Sequence, residues 1–153
     1  MKSMLQIIAA ATCAIALAAC GGGGGGGSAV APPVGVAPPT VLKIEEVAIG
    51  TGAVATAGKT ADVRYTGYLY DGTKSDLRGA KFDSNTAAGA PLLNFVLNGG
   101  RLITGFNDGV LGMKVNGKRV VTIPPSLGYG ASGANGIPGN STLIFEIELV
   151  SIK

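Results

Sequence analysis

Gly128-Tyr129-Gly130-Ala131-Ser132-Gly133 spells G-x-G-x-x-G, a spacing that can bring backbone N–H groups up to a pyrophosphate. That chemistry needs a strand running straight into the turn and a helix leaving it. Here Pro124 and Pro125 stand shortly before the first glycine, and Gly136, Pro138 and Gly139 block a helix after the last. The match is read as coincidence. Glu146 and Glu148 stand two apart, so on a strand both belong to one solvated face. Glycoside hydrolysis needs two carboxylates across a cleft, and the remaining acids do not cluster to supply one. The chain has no histidine, and its two cysteines, Cys13 and Cys20, both lie near the N-terminus. Zinc sites built on His or Cys, Ser-His-Asp triads and Cys-His nucleophiles are thereby excluded. Aromatic rings, tyrosine hydroxyls and scattered carboxylates remain. Taken singly, Tyr65, Phe82, Phe106, Tyr129 and Phe145 read as core packing, and Asp83 as a turn residue.

The elements that must position these groups are mostly strands. Leu143 to Val150 alternates with period two, which places Leu143, Phe145, Ile147 and Leu149 on one face. Val41 to Ile49, Ala61 to Tyr70, Leu92 to Leu97 and Lys118 to Ile123 are rich in β-branched and apolar residues and also read as strands. Pro124-Pro125 ends the Lys118 strand. One segment reads as a helix, with Leu102, Ile103, Phe106 and Val110 on one face and Gly112 as its stop. Gly105 and Gly109 inside it weaken that reading. Asp71 to Lys81, Asn85 to Pro91 and Ser126 to Ser141 are expected as loops. The result is an α+β fold.

The first forty residues differ in kind. All nine acidic residues, and every basic one but Lys2, lie beyond them. The net charge of +3 is too small and too evenly spread to single out nucleic acid as a partner. Lys2 followed by an apolar run to Ala19 matches a signal peptide, too short to span a bilayer. The run ends in Leu17-Ala18-Ala19-Cys20, which resembles the bacterial lipobox and implies acylation of Cys20. Gly21 after that cysteine resembles lipoproteins sent to an outer membrane facing a periplasm. Beside such a signal the sequon Asn140-Ser141-Thr142 carries no weight. The organisation read is a signal peptide over 1–20, a flexible Gly/Pro-rich tether over 21–40, and a domain over 41–153.

Six motifs of that domain, in order and spacing, resemble the FKBP-type peptidyl-prolyl cis/trans isomerases. They are Val63-Arg64-Tyr65-Thr66-Gly67-Tyr68-Leu69; Lys81-Phe82-Asp83-Ser84; Leu102-Ile103-Thr104-Gly105-Phe106 through Gly109; Gly117-Lys118-Arg119 with Thr122-Ile123-Pro124-Pro125; Leu127-Gly128-Tyr129-Gly130 with Ile137-Pro138; and Thr142 to Leu149. The resemblance implies an antiparallel sheet of five to six strands curled around one short helix. It also implies a pocket in which Tyr65, Asp83, Phe106 and Tyr129 act on the substrate. Phe82, Leu93, Leu102, Ile103, Ile137 and Phe145 would line it. Phe106 would be the floor under the proline ring, and Tyr129 O–H and the Ile103 N–H would hold substrate carbonyls.

The implied reaction uses no cofactor or metal. An Xaa-Pro bond crosses a resonance barrier of roughly 18–20 kcal/mol. Its twisted transition state has lost the charge separation of the planar amide, so an apolar wall favours it. Implied partners are proline-containing segments of exported proteins, with macrolide immunosuppressants as further ligands. A Gly/Pro tether stands where some bacterial relatives carry a helical dimerisation arm, so a monomer is expected. The chain departs from the family in three places. Phe106 replaces the usual tryptophan, Leu93 replaces a common aromatic, and Asn85 to Ala90 offers no arginine to restrain Asp83. These departures keep open an alternative, a membrane-tethered proline-peptide binding module or chaperone with little turnover.

Overall fold

The computed structural model describes residues 35–153. The apolar run, Cys20 and the glycine tract lie outside the described residues, and none of the described helices is long and apolar enough to cross a membrane. The strands are β1 (Lys43–Ala48), β2 (Thr60–Tyr70), β3 (Arg78–Ser84), β4 (Leu93–Val96), β5 (Lys118–Ile123) and β6 (Leu143–Ile152). They form one antiparallel sheet in the order β1-β5-β6-β2-β3, with β4 also paired to β2. The one α-helix among the described residues, α1 (Thr104–Val110), packs on β5 and β6.

The alternation of β6 sets the core face. Leu143, Phe145, Ile147 and Leu149 are buried, and the register places Phe145 between Val121 of β5 and Gly67 of β2. Phe106 and Val110 of α1 close over this row. On the other face Glu146 pairs with Arg78 at 2.6 Å and Glu148 with Lys118 at 3.4 Å, as solvated ion pairs.

The glycines that weakened the helix reading are what allow it to dock. A Cβ on Gly105 would lie 2.4 Å from Ile123 Cγ2, and one on Gly109 would lie 2.8 Å from Val121 Cγ2. Arg119 closes the other end of the seven-residue helix. Its guanidinium donates to the carbonyls of Gly109 (2.9 Å) and Leu111 (2.8 Å), and Glu46 on the edge strand balances its charge. Gly112 then leaves the helix at φ +75°, the stop expected from its position.

Three expectations need correction. Strand β3 begins at Arg78, inside the segment read as the Asp71–Lys81 loop. Arg78-Gly79-Ala80-Lys81 has no apolar alternation because β3 is a sheet edge, and its pairing with β2 is broken by two register shifts. The helix begins at Thr104, with Leu102 and Ile103 in the turn before it. A short 3-10 turn at Pro125–Leu127 also interrupts the stretch read as loop.

Asp62 ties three strands together at one end of the sheet. It accepts from Ser151 Oγ (2.6 Å), Asn94 Nδ2 (2.5 Å) and Lys153 Nζ (2.9 Å). The Ser151 hydroxyl first, then Asn94 and Lys153, hold its carboxyl down at about 2. A carboxyl with a depressed folded-state value stabilises the fold above its unfolded value near 4, and this is lost as pH falls from about 4 to about 2. Asp62→Asn should therefore cost on the order of 1–2 kcal/mol at pH 7, allowing for solvent screening. Urea denaturation across pH should show the difference shrinking through that window. An equal deficit at pH 7 and pH 2 would exclude this role.

Candidate active site

A cavity of about 200 Å³ opens on the core face between β2, β3, β4 and the start of α1. Strand β2 contributes Tyr65, β3 contributes Phe82 and Asp83, and β4 contributes Leu93. Leu102, Ile103 and Phe106 come from the turn into α1 and its first residues, Tyr129 follows the 3-10 turn, and Phe145 rises from β6. Nine of the ten pocket residues read from the sequence thus meet in one cavity. Ile137 is not among its walls. It is buried in the flap, where it pairs with Ala134 and folds the loop on itself. Arg101, singled out by no sequence motif, brings a cation to the cavity lining.

The floor is a set of rings meeting edge to face. Phe106 is buried, with its ring centroid 5.1 Å from Phe145 and 5.8 Å from both Tyr65 and Phe95. Phe82 meets Phe145 at 5.6 Å with an interplanar angle of 87°. Such contacts add about 0.5–1.5 kcal/mol each beyond simple burial, and here they fix the ring orientations. Gly67 makes room for them, because a Cβ there would stand 2.6 Å from Phe82 Cζ and 2.9 Å from Phe145 Cε1.

Asp83 is restrained without an arginine. Tyr65 O–H donates to Asp83 Oδ2 at 2.5 Å, and the Ser84 N–H donates to Oδ1 at 2.8 Å. Tyr65 is itself set by Asn85, a residue of the segment expected as a loop. Asn85 Oδ1 accepts from the Tyr65 N–H at 2.7 Å, while Nδ2 donates to the Val63 and Pro91 carbonyls. β3 pairs with β2 from Thr66 onward and β4 pairs with it up to Val63. The Asn85 side chain serves as the partner where β2 passes from one to the other. Only an Asn two residues after F-D hinted at this. Asn107, buried in α1, accepts from the Asn98 N–H at 3.1 Å and so ties the helix to the segment after β4.

Burial first, then the hydrogen bond to Asp83 and its negative charge, push the Tyr65 hydroxyl well above the usual tyrosine range. Burial and the Asp83 charge also raise Tyr129. Both hydroxyls therefore stay protonated and able to donate. The Tyr65 proton is committed to Asp83, whereas no acceptor for the Tyr129 hydroxyl occurs among the described residues.

The sequence profile of the family described as FKBP-type peptidyl-prolyl cis-trans isomerase matches residues 52–150. The chain belongs to that family. It is 46% identical over 112 residues to an FK506-binding protein of Neisseria meningitidis serogroup B, covering 72% of this chain and 95% of that protein. The fold is also similar to the crystal structure of FkpA from Escherichia coli, with a TM-score of 0.63 and 37% identity over 78% of this chain and 52% of that one. A peptidyl-prolyl cis-trans isomerase from Pseudomonas syringae pv. tomato gives a TM-score of 0.60 at 31% identity, covering 73% of this chain and 75% of that one. The antiparallel six-stranded sheet with one short helix is thus this family's fold, and the reaction is the isomerisation of prolyl peptide bonds.

Proposed function

We propose that this FKBP-type isomerase acts on proline-containing segments of exported proteins while held at a membrane through an acylated Cys20, as a monomer. The observation that carries the pocket reading is the convergence of an unspent Tyr129 hydroxyl, a fixed Asp83 and a buried ring floor in one small cavity. The substrate proline ring lies on Phe106 among Phe145, Phe82 and Leu93. Tyr129 O–H donates to a flanking carbonyl, and the backbone N–H of Ile103 meets another. Tyr65 positions Asp83 on the wall beside the twisting imide. As the C–N bond rotates, the amide loses its charge separation, so the apolar floor holds the twisted form better than the planar one. A thousandfold acceleration needs only about 4 kcal/mol of such preference. The relatives' name also supports FK506-type macrolides as ligands of the same cavity.

The exchange rate of Leu-Pro and Phe-Pro peptides tests this directly. The full chain in detergent should accelerate cis/trans exchange, and Tyr129→Phe should lower the acceleration roughly tenfold by removing one donor at constant shape. Asp83→Ala should lower it as well by releasing Tyr65. Unchanged rates in both variants would remove these residues from the mechanism. The anchor has its own readout. The mature N-terminal peptide should carry acyl mass on Cys20, and Cys20→Ala should release the protein from the membrane fraction. An unmodified Cys20 would reduce the reading to a soluble exported enzyme.

A further inference from the structure

The end of the segment read as tether does not hang free of the domain. The Val36 N–H donates to the Gly72 carbonyl at 2.8 Å, and the Tyr70 hydroxyl reaches back to the carbonyls of Val36 (3.0 Å) and Ala37 (3.2 Å). Gly72 is shaped for this approach, since a Cβ there would lie 2.1 Å from Val36 O. The loop presenting Gly72 is itself closed. The Asp71 N–H donates to Leu77 O at 2.8 Å, and Asp71 Oδ1 accepts from the N–H (3.0 Å) and hydroxyl (2.6 Å) of Thr73. Tyr70 is held in β2 by its own N–H, which donates to Thr142 O at 2.9 Å. Further along, Pro38 and Pro39 border a cleft shared with Pro124, Gly130 and Ala131 at the base of the flap.

The segment suits such a site. Ala37 and Pro38 each precede a proline, which steers both towards extended backbone, and the proline φ angles are fixed in advance. Little conformational freedom is therefore lost on docking. Val36 is 61% exposed as a residue while its N–H and carbonyl are both bonded, so the surface holds it by its main chain.

We propose that Tyr70, Gly72 and the base of the flap form a second peptide-docking site, distinct from the isomerase cavity. It takes up extended, proline-flanked main chain, and its resident ligand is the chain's own Gly35–Pro39. Docking moves the start of the tether back to the residues before Gly35. It also joins the Asp71–Leu77 loop to the base of the flap, next to Tyr129.

Amide hydrogen exchange of the full chain in detergent micelles, followed by NMR, tests the site without reading turnover. The result is therefore independent of the isomerase mechanism. The Val36 amide should exchange at least about tenfold more slowly than an unstructured chain, as expected for one intact hydrogen bond with a second contact beside it. Tyr70→Phe, which removes only the hydroxyl, should weaken that protection severalfold. Gly72→Val should abolish it, while the Val121 and Ile147 amides stay protected as evidence that the sheet is intact. Should Gly72→Val disturb the sheet, Tyr70→Phe decides alone. Coil-like exchange of Val36 in the unaltered chain, or full protection retained in Tyr70→Phe, would overturn the proposal.

Discussion

Phe106→Ala is expected to lower the unfolding free energy by about 3–5 kcal/mol and to remove most of the isomerase acceleration. Phe106 sits at the junction of three other rings, those of Tyr65, Phe95 and Phe145, and is only 3% exposed. Truncation deletes its own burial and leaves a cavity that its neighbours cannot refill without giving up their edge-to-face contacts. A domain typically has about 5–15 kcal/mol in total, so the variant should still fold in the cold but with a much lower urea midpoint. The rate loss must be separated from unfolding. Phe106→Leu keeps an apolar floor and much of the volume, and should cost less stability while still slowing exchange. If Phe106→Ala accelerated peptide exchange as fast as the unaltered chain under conditions where it is folded, the proline ring would not rest on Phe106.

Gly105→Ala should destabilise the protein, although the same change in an isolated helix would stabilise it. Replacing an interior helical glycine by alanine gains about 1 kcal/mol of propensity. Against this stands a Cβ placed 2.4 Å from Ile123 Cγ2. Ile123 is β-branched, stiff at χ1 and fully buried, so it cannot swing aside. The helix must lift from β5, at an overpacking cost of about 1–3 kcal/mol, and Phe106 moves with it. We expect a net loss of about 1–2 kcal/mol and slower turnover. Gly109→Ala, whose Cβ would lie 2.8 Å from the nearest Val121 atom, should be milder. Thermal melts of the two variants would settle the order, and a stabilised Gly105→Ala would show that the helix does not need this close approach.

These two residues also mark the boundary between what was readable in the chain and what was not. The alternation from Leu143 to Leu149 carries its own structure, because the strand period is a local property of the backbone. The helix stop at Gly112 and the shared solvated face of Glu146 and Glu148 follow from equally local rules. Tyr65, Asp83, Phe106 and Tyr129 were legible only through the resemblance to the family, which rests on six motifs in order along the chain. By contrast, Gly105 counted against the helix locally, and its use lies in Ile123, a residue that only the packed sheet brings near.

The same distinction separates the remaining features. Strand β3 has a sequence without alternation and becomes a strand only through its pairing with β2. Asn85 reads as a loop residue until Val63, Tyr65 and Pro91 surround its amide. Ile137 belongs to a matched motif, and the fold buries it in the flap beside Ala134. Arg101 belongs to no motif, and the fold brings it to the cavity wall. The Gly35–Pro39 segment has the composition of a linker, and its docking depends on a carbonyl and a hydroxyl more than thirty residues away. By itself, the sequence determined the periodicities, the breaks and the family's set of side chains, all of which depend on neighbours along the chain. Tertiary structure decided the close approaches and the hydrogen bonds that aim those side chains, because these depend on atoms that are distant until the sheet has formed.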